Sequence, residues 1–313
     1  VSPKRVLWIA AIAAVLYAGF AYWVITNFEI PPLRGAALLI VILAAIAQIS
    51  AKWFFGQLFK VSIRRTGSEV RSWSAFKAAL VGAGVARLIP AGGAITPVAM
   101  SWTVRDEVEE STAGPAIRTV LLNYAGLLIM AGVGILLERP SGAIPVFSTS
   151  LFVLAPFALA LGVLLMFGSG RLGSISKYLP RFIRKRIETS MVDHLPGWES
   201  QLYIWARLFA EAAAFWLVMV AFNVDVTPME VVATFAASQI VGGLPGMPGG
   251  LALTEGAITA ILAAYGYPLS DTIAPTLVFR IVSYWLPAGL SLLAGGSTFL
   301  KSDEAKAAAD QPG

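Results

Sequence analysis

The side chains in this sequence best placed to do chemistry are charged groups embedded in apolar runs. Glu255 follows the turn Pro248-Gly249-Gly250, and Arg280 lies further on inside another apolar stretch. A carboxylate or guanidinium in such surroundings is costly unless paired, so each marks either a site or a partner. The planar fork of Arg280 suits bidentate recognition of a phosphate; its other reading is a structural partner of Glu255 or of turn carbonyls. Glu255 can bind a cationic headgroup, accept a proton or simply neutralise Arg280. Arg87, one turn before Pro90 and close to Gly92 and Gly93, offers a second guanidinium for an anion or snorkels to the membrane interface. Arg207 and Glu211 are four apart, so on a helix they share a face, where they pair with each other or meet substrate. Gln239 and Asn123 are polar positions in apolar sequence, suited to hydrogen bonds between helices.

Enzyme signatures are sparse beside these. The chain has no cysteine and one histidine, His194, which leaves no thiolate or histidine metal cluster and no Ser-His triad. The glycine-rich run 242–250 lacks the Gly-Lys-Ser/Thr ending of a nucleotide loop. No cofactor or metal is expected.

The elements that must position these groups follow from composition. Of 313 residues, 57% are hydrophobic and 13% charged, against about 25% charged in soluble domains. Apolar runs repeatedly reach the roughly 20 residues a helix needs to cross the hydrocarbon core, and they lack the strict alternation of barrel strands. The expected class is an all-α integral membrane protein. Full spans are predicted over 6–26, 35–55, 116–137, 145–167, 202–222 and 273–293. The first is too long for the apolar region of a secretory signal and runs into Tyr22 and Trp23, so it is expected to be retained. The net charge of +5 comes from basic residues flanking spans, a cytoplasmic-loop signal and not a nucleic-acid face.

Two apolar stretches cannot be single straight helices. Residues 74–104 are interrupted by Arg87, Pro90, Gly92 and Gly93, and residues 231–265 by Pro245, Gly246, Pro248, Gly249 and Gly250. Proline and glycine break helices, so each stretch reads as two short helices joined by a turn. Lys52, Lys60, Arg64, Arg65, Arg71 and Lys77 follow the second span; Arg171, Lys177, Arg181, Arg184, Lys185 and Arg186 follow the fourth. Both clusters should be cytoplasmic. They share a side only if 74–104 enters and leaves on one face, as a re-entrant hairpin. The same reasoning makes 231–265 a hairpin from the outer face and returns Lys301 to the cytoplasm beside Lys4 and Arg5. Irregular backbone at membrane depth is tolerated where it lines a protein cavity, so these turns should line a site.

A shift of 157 residues superposes the halves: Gly92-Gly93 falls on Gly249-Gly250, Thr119 on Thr276, and Ala131-Gly132 on Ala288-Gly289. An odd number of crossings separates the copies, which makes them inverted. The expectation is one transmembrane domain over 1–300, with six full transmembrane helices plus two re-entrant helical hairpins in an inverted repeat. The repeats cover about 35–137 and 198–296, an N-terminal helix precedes them, helix 145–167 connects them, and 301–313 forms a disordered tail. Paired interrupted segments in inverted halves point to a transporter with substrate near the midplane.

The segment 242–255, Gly-Gly-Leu-Pro-Gly-Met-Pro-Gly-Gly-Leu-Ala-Leu-Thr-Glu, and the later Arg280 with Tyr284-Trp285-Leu286-Pro287 resemble the lysylphosphatidylglycerol synthase/flippase membrane-domain family. There a Pro-Gly-Gly-Leu-Gly-x-x-Glu turn precedes a span carrying Arg and a Tyr-Trp-x-Pro end. The resemblance covers most of the chain in layout and about 45 residues in motif, and it implies lipid translocation. Ala252 stands where glycine is commoner, Asn123 occupies the first-half position equivalent to Arg280, and no aminoacyl-transferase domain is read after residue 300.

The expected function is therefore a multi-pass transporter of the cell inner (plasma) membrane with cytoplasmic termini, flipping a phospholipid or lipid-linked envelope precursor. An anionic headgroup would be bound by Arg280, Glu255, Arg87, Arg207 and Glu211. The turns Pro248-Gly249-Gly250 and Gly92-Gly93 would add helix N-termini at Gly93 and Gly250. Partners are membrane lipids and not nucleic acid, and a homodimer is compatible with this reading. The alternatives are a membrane-embedded enzyme on a lipid-linked substrate, with Glu255 as acid or base, and a non-transporting envelope assembly factor.

Overall fold

A computed structural model describes residues 34–88, 92–108, 111–142, 145–167, 196–243, 250 and 252–294, together with positions 15, 18, 19, 22 and 26. The expected first span, the basic linker holding His194 and the expected tail lie outside these, apart from those five positions. Among the described residues every regular element is helical. The helices are α1 (Ala36–Arg64), α2 (Ser72–Leu88), α3 (Gly92–Val104), α4 (Ala113–Leu137), α5 (Pro145–Phe167), α6 (Trp198–Ala221), α7 (Pro228–Gly242), α8 (Leu253–Tyr265) and α9 (Leu269–Ala294). Five of them, α1, α4, α5, α6 and α9, are long and apolar enough to cross a membrane.

Both interrupted stretches fold as pairs of short helices, α2 with α3 and α7 with α8, each packed against its mate. Ion pairs and hydrogen bonds show where the pairs open. Arg71, just before α2, donates to Glu107, just after α3, at 2.7 Å, and Ser74 donates to the same carboxylate at 2.5 Å. Burial raises the pKa of that carboxyl, but the bonds from Arg71 and Ser74 outweigh it and hold Glu107 below the ordinary carboxylate range. The open end of α7 and α8 is tied differently. The Tyr267 hydroxyl lies 2.7 Å from both the Glu230 carboxylate and the Asp225 carbonyl, which share its one proton, and a capping box of Thr227 and Glu230 starts α7. Thr227 also reaches Glu138 at the C-terminal end of α4. The N-terminal end of α4 lies by α1, where Thr119 donates to Ser62 at 3.2 Å. The two helix pairs thus open at opposite ends of α4.

The contacts recur in matched sets. Helix α1 packs on α2 and α6 on α7; α3 packs on α4 and α8 on α9; α1 packs on α4 and α6 on α9; α4 packs on α6 and α9 on α1. The core where these helices meet is built around Phe59, Leu208, Phe215, Phe235 and Phe279, all fully buried. Helix α5 packs on α4 and α8 and turns Val153, Leu154, Phe157 and Leu161 outward, the apolar exterior a lipid-facing helix needs.

The expected span 35–55 instead runs on to Arg64, and this corrects the reading of Lys52 as a loop cation. Lys52 is buried inside α1, paired with Glu211 of α6. A lysine that ends an apolar run looks like a membrane boundary until its partner, far away in sequence, is brought beside it.

Candidate functional site

Helix α9 carries the centre of the site near its midpoint. Arg280 lies about three turns into the helix. It donates through Nε to Oε1 of Glu255 at 2.7 Å, with both side chains buried. Glu255 lies in the first turn of α8, where the positive end of the helix dipole also favours a carboxylate. The second oxygen of Glu255 has no hydrogen-bond partner. The guanidinium of Arg280 stacks 4.7 Å over the ring of Tyr284, a cation–π contact on one helix face.

The turn before α8 places this carboxylate. Gly250 has φ +65 and a Cβ there would meet the Gly242 backbone at 2.7 Å, so only glycine allows α7 and α8 to close. The expectation of a helix N-terminus at Gly250 is corrected, because the helix begins at Leu253. Ala252, with φ 64 and ψ −34, is its N-cap. That conformation is strained for any residue with a Cβ, which explains why glycine is the commoner residue at this position of the motif. Ala252→Gly should stabilise the fold by about 1 kcal/mol, read as a higher unfolding temperature in detergent with lipid retention unchanged; a lower unfolding temperature would contradict the strain.

The C-terminal end of α2 reaches the same place. Arg87 near the end of α2 donates to the Ser283 carbonyl at 2.8 Å, and Tyr284 donates to the Arg87 carbonyl at 2.6 Å. Pro287 has no N–H to offer Ser283, four residues back, and the helix passes through a π turn over Ile281–Trp285. The Tyr-Trp-x-Pro end of the motif therefore shapes a backbone carbonyl and a hydroxyl into a receptor for Arg87. The guanidinium is half-buried and held against α9, so the reading of Arg87 as snorkelling to the interface is corrected. Tyr124, on α4, sits between the end of α7 and the start of α3: a Cβ on Gly243 would meet its hydroxyl at 2.6 Å and one on Gly93 at 3.7 Å.

A second ion cluster adjoins the first. Arg207 and Glu211 pair along α6 at 3.2 Å, as their spacing predicts, and Lys52 from α1 shares that carboxylate. Arg207 also lies 4.6 Å over the ring of Phe55, while its Nε and one terminal nitrogen have no hydrogen-bond partner. Arg87 links the clusters, since it interacts electrostatically with Glu211 and Arg207 on one side and Arg280 on the other. The structure thus brings Arg280, Glu255, Arg87, Arg207 and Glu211 together. Gly92 and Gly93 begin α3 and Gly250 lies in the turn before α8; Pro248 and Gly249 lie outside the described residues. Lys52, Tyr124 and Tyr284 were not among the expected site residues. Lys52 shared its signal with the basic loop, and membrane proteins place tyrosines at interfaces as readily as in sites.

Such a constellation can hold an anion between cations from four helices, with a buried carboxylate to fix their geometry. Among the described residues no group of three potential metal ligands occurs. A family profile described as the Lysylphosphatidylglycerol synthase TM region matches residues 6–291. Two matches to UPF0104 membrane proteins of Methanothermobacter thermautotrophicus are shorter. One is 27% identical over 79 residues, covering 25% of this chain and 23% of the relative. The other is 32% identical over 85 residues, covering 26% and 25%. The aligned part thus spans about a quarter of each relative's length. No solved structure gives a significant match.

Proposed function

The chain belongs to the lysylphosphatidylglycerol synthase transmembrane-region family, and from that premise we propose that it moves an anionic phospholipid or lipid-linked envelope precursor between membrane leaflets. The headgroup is held at the meeting of the two hairpin tips, while its tails stay in the bilayer. The observation that carries this reading is the buried cationic cluster itself. Arginines from α2, α6 and α9 and a lysine from α1 converge at mid-bundle, where a charge without a partner is costly.

In this reading α2–α3 and α7–α8 are re-entrant hairpins, opening to the cytoplasm and to the outer face respectively, and the two halves form an inverted repeat. Their opposite openings along α4 and the matched packing contacts support that arrangement. The charged end holding Arg64, Arg71 and Glu107 faces the cytoplasm of the plasma membrane, in keeping with its basic loops, and both termini lie on that side. Rocking of one half against the other then exposes one fixed site to each leaflet in turn.

Native mass spectrometry of the chain extracted from its membrane tests the ligand. An anionic phospholipid should be retained in marked excess over its share of the bulk lipid. Retention of lipids in bulk proportion would count against a headgroup site.

A further inference from the structure

The charge of the buried cluster says which anion it is built for. Four cations, Lys52, Arg87, Arg207 and Arg280, meet two carboxylates, Glu211 and Glu255. Glu211 serves Lys52 and Arg207, and Glu255 serves Arg280, so the group carries an excess of two positive charges. Arg280 is 4% exposed, Lys52 3% and Arg207 8%, and at such depth an uncompensated charge is expensive.

Polar atoms beside the cations also lack partners. Two nitrogens of Arg207 are unbonded, and so are both amide atoms of Gln48, which is 1% exposed. Gln48 is four residues before Lys52 on α1, hence on the same face. Buried polar groups are normally satisfied, and here an amide and a guanidinium edge flank the surplus charge.

The common headgroup charges can be set against this surplus. A zwitterionic headgroup offers no net charge, a phosphodiester offers a single negative one, and an aminoacylated headgroup places a further cation among four. A phosphate monoester carries roughly −1.5 to −2 near neutral pH and three strong acceptor oxygens. We propose that this site binds a phosphate dianion, the monoester or diphosphate headgroup of a lipid, gripped by Lys52, Arg87, Arg207 and Arg280, with the Gln48 amide as a neutral donor. This rests on the translocation reading and narrows its substrate class.

The test measures stabilisation of the purified full-length chain by dioleoyl phosphatidic acid, dioleoyl phosphatidylglycerol and inorganic phosphate, titrated separately. Phosphatidic acid should bind about tenfold or more tightly than phosphatidylglycerol. That ratio should shrink in Lys52→Met, which leaves Glu211 paired with Arg207. Gln48→Leu, which removes no charge, should weaken phosphatidic acid more than phosphatidylglycerol and keeps the test open if the lysine variant does not fold. Equal binding of the two lipids, or an unchanged ratio in Gln48→Leu, overturns the dianion assignment and leaves lipid binding standing. Inorganic phosphate binding as tightly as phosphatidic acid upholds the dianion but removes the lipid, and with it the translocation reading.

Discussion

Glu211→Gln should destabilise the protein more than any other single neutralisation in the bundle, by about 3–5 kcal/mol. The carboxylate receives Lys52 and Arg207 at once and also attracts Arg87. Its loss leaves Lys52 and Arg207 facing one another inside the α1–α6 contact, the most extensive one among the described helices, with Arg87 beside them. Desolvation has already been imposed on those cations by packing, so the neutral glutamine cannot return them to water. Lys52→Met in the same background should recover part of the loss, because the remaining arginine stays stacked on Phe55. Thermal unfolding in detergent across the four proteins of that double-mutant cycle checks this. A Glu211→Gln protein within about 0.5 kcal/mol of wild type, the range of an ordinary surface change, would show that the cluster is solvated and not a sealed electrostatic core.

The second large effect concerns Arg280. Arg280→Ala should abolish lipid retention, but it also strands Glu255 without its cation, so folding and function fall together. The pair variant Glu255→Gln with Arg280→Gln separates them. Two neutral amides of similar volume can still bond across 2.7 Å, and replacing a buried ion pair by neutral groups is often tolerated. The pair variant should keep an unfolding temperature near that of wild type and still lose bound anionic lipid. Arg280→Lys should recover charge but not the planar fork, giving partial retention. A pair variant that folds and retains wild-type lipid would reduce this ion pair to a structural strut.

The sequence made some of this legible and hid the rest for physical reasons. Arg207 with Glu211 could be read from helical spacing alone, since four residues place both on one face. The breaks at Arg87-to-Gly93 and Pro245-to-Gly250 could be read because proline and glycine disrupt helices wherever they occur. Glu255 and Arg280 stood out as charges in apolar runs, and the motif around them suggested that they belong together. The share of Lys52 in Glu211 was invisible, because the two residues are 159 apart and charge counting assigns a lysine to the nearest loop. The strain at Ala252 was hinted at only by the glycine that is commoner at its place in the motif, since the strain itself lies in the backbone angles. Tyr284 offered an aromatic in an apolar span, and its bond to the Arg87 carbonyl depends on the π turn that no local propensity announces.

In the proposed function the buried cationic cluster carries a headgroup from one leaflet to the other. The most direct measurement reconstitutes wild type and the folded Glu255→Gln/Arg280→Gln variant into vesicles bearing a fluorescent anionic phospholipid, then follows its exchange between leaflets by quenching from outside. Wild type should make the inner pool accessible well above the protein-free rate, while the variant stays at that rate. Exchange by the variant equal to wild type, or none by wild type with the retained lipid supplied, would contradict the account.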